Sequence, residues 1–116
     1  MHILITNNPL IQERASATTI IEYDNITYMN VLYRAREYIH IGHKLLTHPL
    51  SGSIKPNETP YKSIIISSEP TGLDLDSLNI IEESIICARK FGPCGNMPEH
   101  VRKDFMLIDS KLIGHI

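Results

Sequence analysis

The residues of this chain with the means to do chemistry concentrate in two stretches, "ITNNP" (Ile5 to Pro9) and "HKLLTHPLSGSIKPNETPYK" (His43 to Lys62). The second carries three lysines against one glutamate, a local charge of +2 in a chain whose formal net charge is −2. That excess suits a small anion. Ser51, Gly52 and Ser53 let backbone amides and hydroxyls approach an oxyanion closely, Asn57 and Thr59 add polar groups, and Lys55 or Lys62 supplies a point charge. Pro49, Pro56 and Pro60 leave the segment fewer unfolded conformations to lose, so one shape is held at lower entropic cost. The competing reading is an Ω-loop packed by its own side chains, with Asn57, Glu58 and Thr59 bonding backbone amides. The stretch is no P-loop, because "SGSIK" lacks the spaced glycines and the GK[ST] ending.

His48 follows a short apolar run and precedes Pro49. With Asn7 and Asn8 it could orient a carbonyl, carboxylate or phosphoryl group, and an imidazole titrating near neutrality is the candidate acid–base residue. Its ordinary alternative is a turn histidine bonded to backbone. The letters "HIGH" (His40 to His43) spell the nucleotide signature of class I aminoacyl-tRNA synthetases, but that motif opens a helix, whereas here it closes one. His40, His43 and His48 fail as a metal set, because Gly42 ends the helix between the first two and nothing fixes their geometry. Cys87 and Cys94 are spaced C-x6-C, too few and too far apart for a redox motif or a disulfide scaffold. Cys94, in the "GPCGN" turn, is the more reactive position, yet neither thiol has a base nearby in sequence. No metal or cofactor is expected.

The elements that must position these residues follow from periodicity. "HILIT" (His2 to Thr6) and "TTIIEY" (Thr18 to Tyr23) are short β-branched runs stopped by turn residues, hence strands. Leu10 to Thr18 has no clean period and reads as an irregular or single-turn excursion. Thr27 or Asn25 can cap a helix on which Tyr28, Val31, Leu32, Ala35, Tyr38 and Ile39 share a face, with Gly42 as its left-handed terminator. "HKLLT" (His43 to Thr47) is then a third strand and "SIIIS" (Ser63 to Ser67) a fourth, covered on both faces. Asp74 or Asp76 caps a second helix bearing Leu78, Ile81, Ile85 and Ala88. Pro98 opens a third, covering about 98–114, with Val101, Phe105, Ile108 and Leu112 as the stripe that docks on the sheet.

This order predicts a single α/β domain over residues 1–116, built on one small sheet of about four mainly parallel strands flanked by helices. The arrangement is Rossmann-like, in three layers or two, and contains a right-handed βαβ unit from the second strand through the first helix. With parallel strands, "NNP", "THPLSG" and "SSEP" leave strand ends at one edge, where open α/β sheets bind ligands. The pI near 6.3 does not supply the positive field that nonspecific nucleic-acid binding needs. No apolar run approaches the ~20 residues of a membrane span, and the N-terminus lacks the parts of a signal peptide. A cytoplasmic protein without nucleic-acid or membrane partners is expected.

"ILITNNP" (Ile3 to Pro9), "GHKLLTHPLSGSIKPNETPYKSI" (Gly42 to Ile64) and "SLNIIEESI" (Ser77 to Ile85) together resemble the GrdX family, small proteins that accompany the glycine, sarcosine and betaine reductases of amino-acid-fermenting clostridia. The resemblance covers the chain to about Phe91 and does not reach the tail from Gly92. It implies a metabolic context rather than a reaction, and it names no catalytic residues. The expectation is a non-catalytic accessory or regulatory protein of reductive amino-acid fermentation. It would bind a small anionic metabolite, or a partner protein such as a component of the reductase system, through the 47–62 loop. The alternative is a small enzyme of transferase or isomerase type, with His48 as acid–base group and Lys55 or Lys62 as anion anchor.

Overall fold

The computed structural model describes residues 1–50 and 54–114. Three strands, β1 (His2–Thr6), β2 (Thr19–Tyr23) and β3 (Ser63–Ser67), form one open sheet in the order β2-β1-β3. A 3-10 helix (Pro9–Arg14) links β1 to β2, and three helices follow: α1 (Tyr28–Ile41), α2 (Leu75–Phe91) and α3 (Glu99–Ile113). Successive residues of a strand point to opposite faces, and here both faces are covered. Ile5, Ile64 and Ile66 pack with Val31, Leu32, Ala35 and Ile39 of α1 and Ile81, Ile85 and Ala88 of α2. Leu4 and Ile65 face the other way, towards Ile11 of the 3-10 helix and Ile113 of α3. The result is three layers of α/β type.

The helix ends are where capping chemistry puts them. The Thr27 hydroxyl accepts the Asn30 N–H at 3.2 Å and the Asp74 carboxylate accepts the Ser77 N–H at 3.0 Å, so each satisfies an otherwise orphaned amide. Gly42 ends α1 in the left-handed region with φ of 117°. Its backbone is pressed against Gly72, and a β-carbon there would lie 3.0 Å from the Gly72 nitrogen.

The sheet differs from the expected four mainly parallel strands. β1 and β2 are parallel, with His2 opposite Thr19, but β3 runs antiparallel to β1, with Thr6 opposite Ser63. Residues 43–47 form no strand and contribute one antiparallel bridge, Leu45 to Ile66. Side chains have taken the ladder's next partners. The Lys44 N–H donates to Ser67 Oγ at 2.7 Å and the Ile65 N–H to Thr47 Oγ1 at 3.0 Å, so regular pairing stops after one step. The expected βαβ unit is therefore absent: the segment after α1 lies beside β3, and no parallel strand pairs with it.

Reversal of β3 changes which loops meet. The segment 44–47 and β3 run antiparallel, so the long loop is a wide hairpin connection whose two ends lie together beside the end of β1. β2 ends at the same rim, where the Asp24 N–H donates to Thr6 O at 3.2 Å, and α1 starts there. "SSEP", by contrast, leaves at the opposite rim, beside Gly42, whose carbonyl accepts the Thr71 N–H at 3.0 Å. The three exits do not converge as expected. The entry to β3 takes the place of its exit.

α3 also docks otherwise than its stripe suggests. Its buried residue is Asp109, while Phe105 and Ile108 are half-buried and Leu112 is 44 % exposed. The sheet face at this point presents hydroxyls and an amide rather than methyl groups. Ser63 Oγ donates to Asp109 Oδ2 at 2.7 Å and Asn8 Nδ2 donates to the same oxygen at 3.0 Å and to Met106 O at 2.9 Å. Arg14 of the 3-10 helix adds bonds to Gly114 O and to Ser110. Phe105, Ile108 and Leu112 turn instead towards Ile54 and Thr59 of the long loop.

Gly42→Ala tests the α1 terminus. The strained φ together with the Gly72 contact should lower the unfolding free energy by about 1–3 kcal/mol. A lower urea midpoint with unchanged slope is the expected reading; an unchanged midpoint would show that the turn does not hold this geometry.

Candidate functional site

A cavity of about 560 Å³ opens at the rim shared by β1, β2 and the long loop. Its walls come from the first turn of α1 and the residues before it (25–30), from Pro56, Pro60 and Tyr61 of the loop, from residues 92–94 beyond α2, and from Arg102 of α3. α2 begins at the opposite rim after "SSEP" and ends here, which is why Gly92 and Cys94 reach the site.

Its electrostatics are one-sided. Among the described residues that line it, Arg102 is the charged group and no Asp or Glu is present. The first turn of α1 contains no acidic residue either. Asn30 N–H is capped by Thr27, but the Tyr28 and Met29 amides have no hydrogen-bond partner among the described residues. Open N-terminal amides carry partial positive charge. Tyr28 itself is 8 % exposed, and its hydroxyl has no partner among the described residues. Burial, with Asp109 and Cys87 adding to it, pushes that phenol above its ordinary range, so it is a proton donor at neutral pH. Burial likewise raises Tyr61, with Arg102 opposing.

The residues singled out from sequence are distributed unevenly about this cavity. Asn7 is in its wall, but its amide is spent on structure: Nδ2 donates to Ile26 O at 2.9 Å and Pro60 O at 2.8 Å, and Oδ1 accepts the Lys62 N–H at 2.9 Å. Asn8 is fully buried on the far side of the sheet, where Oδ1 caps the 3-10 helix through the Leu10 N–H. His48 is exposed, lies off the cavity, and accepts the Leu50 N–H at Nδ1 at 3.1 Å. Lys55 is exposed with its ammonium 6.0 Å from the Phe91 ring, and its N–H donates to Glu58 Oε1. Asn57 is exposed, whereas Thr59 is buried and accepts the Tyr61 N–H at 3.1 Å. Ser51, Gly52 and Ser53 lie outside the described residues. Thus the described part of the loop braces itself, as an Ω-loop does.

Lys62 is the exceptional member of the set. It is 8 % exposed, its ammonium lies 5.4 Å from the Tyr28 ring centroid, and it has no ion-pair partner among the described residues. Desolvation lowers its pKa below the ordinary lysine value, and the Asp109 charge opposes that shift. It borders a second void of about 10 Å³, room for one water, between Asp109, Thr59 and the α3 stripe.

The groups that sequence reasoning missed are Arg102, Tyr28, Tyr61 and the α1 amides. One signal was present: a capped helix whose first turn, "YMN", has no acid to occupy its positive end. Cys94 borders the cavity, but burial raises its thiol and it donates to Gly95 O at 3.4 Å, so it is a poor nucleophile as placed. Among the described residues no cluster of three His, Cys, Asp or Glu could hold a metal ion, and no helix is long and apolar enough to cross a membrane.

Fold and site together define a small three-layer α/β protein with a ligand-sized, electropositive cavity at one sheet rim. The family model for GrdX-like proteins matches residues 3–116. The chain therefore belongs to the GrdX-like family, and the match includes the tail from Gly92 that the sequence resemblance had not reached. No curated protein and no solved structure matches the chain.

Two variants probe this construction. Asn7→Ala strands a buried donor and two carbonyls, and should cost about 2–4 kcal/mol of stability in urea; a loss under 0.5 kcal/mol would show the amide is not a structural brace. For Lys62 the folded pKa lies below the unfolded one, so between them the unfolded chain binds more protons and stability rises with pH. Tyr28, held above its ordinary range, acts in the opposite sense only beyond pH of about 10. Wild-type stability should therefore gain on that of Lys62→Met as pH climbs from about 7 towards 10. Parallel urea midpoints across that range would show an unburdened ammonium.

Proposed function

We propose that this chain is a non-catalytic accessory or regulatory protein of reductive amino-acid fermentation, acting in the cytoplasm, which takes a small anion into the rim cavity beneath the long loop. One observation carries the reading: a cavity of about 560 Å³ whose described lining has one cation, open helix amides and no acid. An anion there meets Arg102, whose planar guanidinium can hold two oxygens at once, and the N-terminal amides of α1. The described lining residues offer no acid–base pair, which is why binding rather than turnover is proposed. The metabolic setting rests on the GrdX resemblance, since proteins of that family accompany the glycine, sarcosine and betaine reductases. Within that setting a reductase component is the proposed partner, and ligand occupancy is the state it would read at the loop.

Anions at about ten times their Kd should raise Tm by about 5 °C, since linkage then adds about 1.4 kcal/mol. Phosphate, acetyl phosphate, glycine and nucleotides form the first thermal-shift panel, with Arg102→Gln as control. Arg102 is exposed, so the variant should fold and lose the shift. A wild-type Tm that phosphate, acetyl phosphate and nucleotides all leave unmoved would sink the small-anion reading.

A further inference from the structure

The same cavity constrains what the anion may carry besides its charge. We infer that the site selects an oxyanion on an apolar body that has no ammonium group, a carboxylate or phosphate monoester rather than a zwitterionic amino acid. This deepens the binding role proposed above and rests on it.

The argument is one of missing counter-charge. An α-amino acid brings its ammonium within a bond or two of the carboxylate, so both enter together. The carboxylate would find Arg102 and the Tyr28 and Met29 amides. For the ammonium there is no acidic side chain among the described lining residues. The positive end of α1 repels it. The neutral acceptors in the wall carry no charge to answer it: the Asn7 amide oxygen is already taken by the Lys62 N–H, and Asn25 and Asn30 offer only amide oxygens. A Tyr28 ring could in principle cradle a cation, but Lys62 already lies over it at 5.4 Å and adds like-charge repulsion. A cation desolvated without a partner is costly.

The remaining surface fits an uncharged body. Ile26, Met29, Pro56, Pro60, Tyr61 and Pro93 supply apolar surface beside the polar side chains of the wall. A volume of about 560 Å³ lies within the range of small-molecule sites and exceeds what a bare phosphate or acetate fills. The Tyr28 hydroxyl, on a residue 8 % exposed and without a partner among the described residues, is a donor in the same wall that an oxygen of the ligand would satisfy.

Matched pairs that differ by the ammonium group alone provide the test: 3-phenylpropionate against phenylalanine, and 4-methylpentanoate against leucine, with phenyl phosphate as the phosphate arm. Binding is measured by titration calorimetry on the full chain. The deaminated member of each pair should bind at least about tenfold more tightly, a difference of about 1.4 kcal/mol. Arg102→Gln should weaken the deaminated probes about tenfold or more. Asn30→Asp places a carboxylate in the exposed first turn of α1, where acids favour the helix, and should narrow the gap within each pair. Amino acids that bind as tightly as their deaminated partners would overturn the selectivity while leaving an anion site standing. A preference indifferent to both substitutions would place binding elsewhere and overturn it too, and silence from every probe would remove the binding role with it.

Discussion

The rim of this protein hangs on a directed chain of buried hydrogen bonds at the end of β1. The Asn8 N–H donates to Thr6 Oγ1 at 2.9 Å, and Ser63 Oγ donates to Asp109 Oδ2 at 2.7 Å. The 2.7 Å bond between the Thr6 and Ser63 hydroxyls must then run from Thr6 to Ser63, because Ser63 has spent its proton on the carboxylate. Each member polarises the next, and a fully satisfied buried network is stabilising where a broken one is costly. Asp109 of α3 is thereby solvated in the interior by two donors from elsewhere in the chain, Asn8 at the start of the 3-10 helix and Ser63 of β3. One residue earlier in the chain, Asn7 performs the matching task on the other side, tying the approach to α1 at Ile26 to the loop at Pro60 and Lys62.

Much of the skeleton was legible because it depends on local rules. The α1 face from Tyr28 to Ile39, its Thr27 cap and its Gly42 stop, and the α2 stripe with its Asp74 cap, all follow from period and capping chemistry, and the burial of Val31, Leu32, Ala35, Ile81 and Ile85 agrees. The errors lie where the outcome depended on partners distant in sequence. "HKLLT" has the composition of a strand, yet the hydroxyl of Ser67, twenty-three residues away, takes its Lys44 amide from the ladder. The sense of β3 could not be read from "SIIIS", since a continuous apolar run is compatible with either direction. α3 docks on the sheet as expected, but the face it turns inward was misjudged for a related reason. Its stripe is genuine, but Asn8 and Ser63 present polar groups that Asp109 alone can answer, and a buried unpaired donor outweighs partial exposure of Leu112.

The cavity opens at a rim the sequence pointed to, but most of the described residues singled out there do not line it. Asparagines after a strand attract attention as ligand donors, and in this chain both turn inward because the backbone they brace offers more partners than solvent does. The positive charge of the long loop is only partly at the surface: Lys44 and Lys55 are exposed, whereas Lys62 is buried over Tyr28. The cation that does line the cavity, Arg102, comes from α3, whose placement depended on the Asp109 network and so could not be inferred from the helical stripe.

The two halves of the rim explain why a cavity survives in so small a protein. Asn7 holds Pro60 and Ile26 at a fixed separation by bonding both carbonyls with one amide group, so the loop cannot close on α1 without breaking a buried bond. Pro56, Pro60 and Pro93 line the gap and have no N–H to offer, which removes the simplest way for the loop and the α2 exit to pair with each other across it. On the α1 side the Tyr28 and Met29 amides have no partner among the described residues, although Asn25 and Asn30 stand in the same wall. Amide donors on the α1 side and prolines without an N–H on the other are what the proposed anion would meet there.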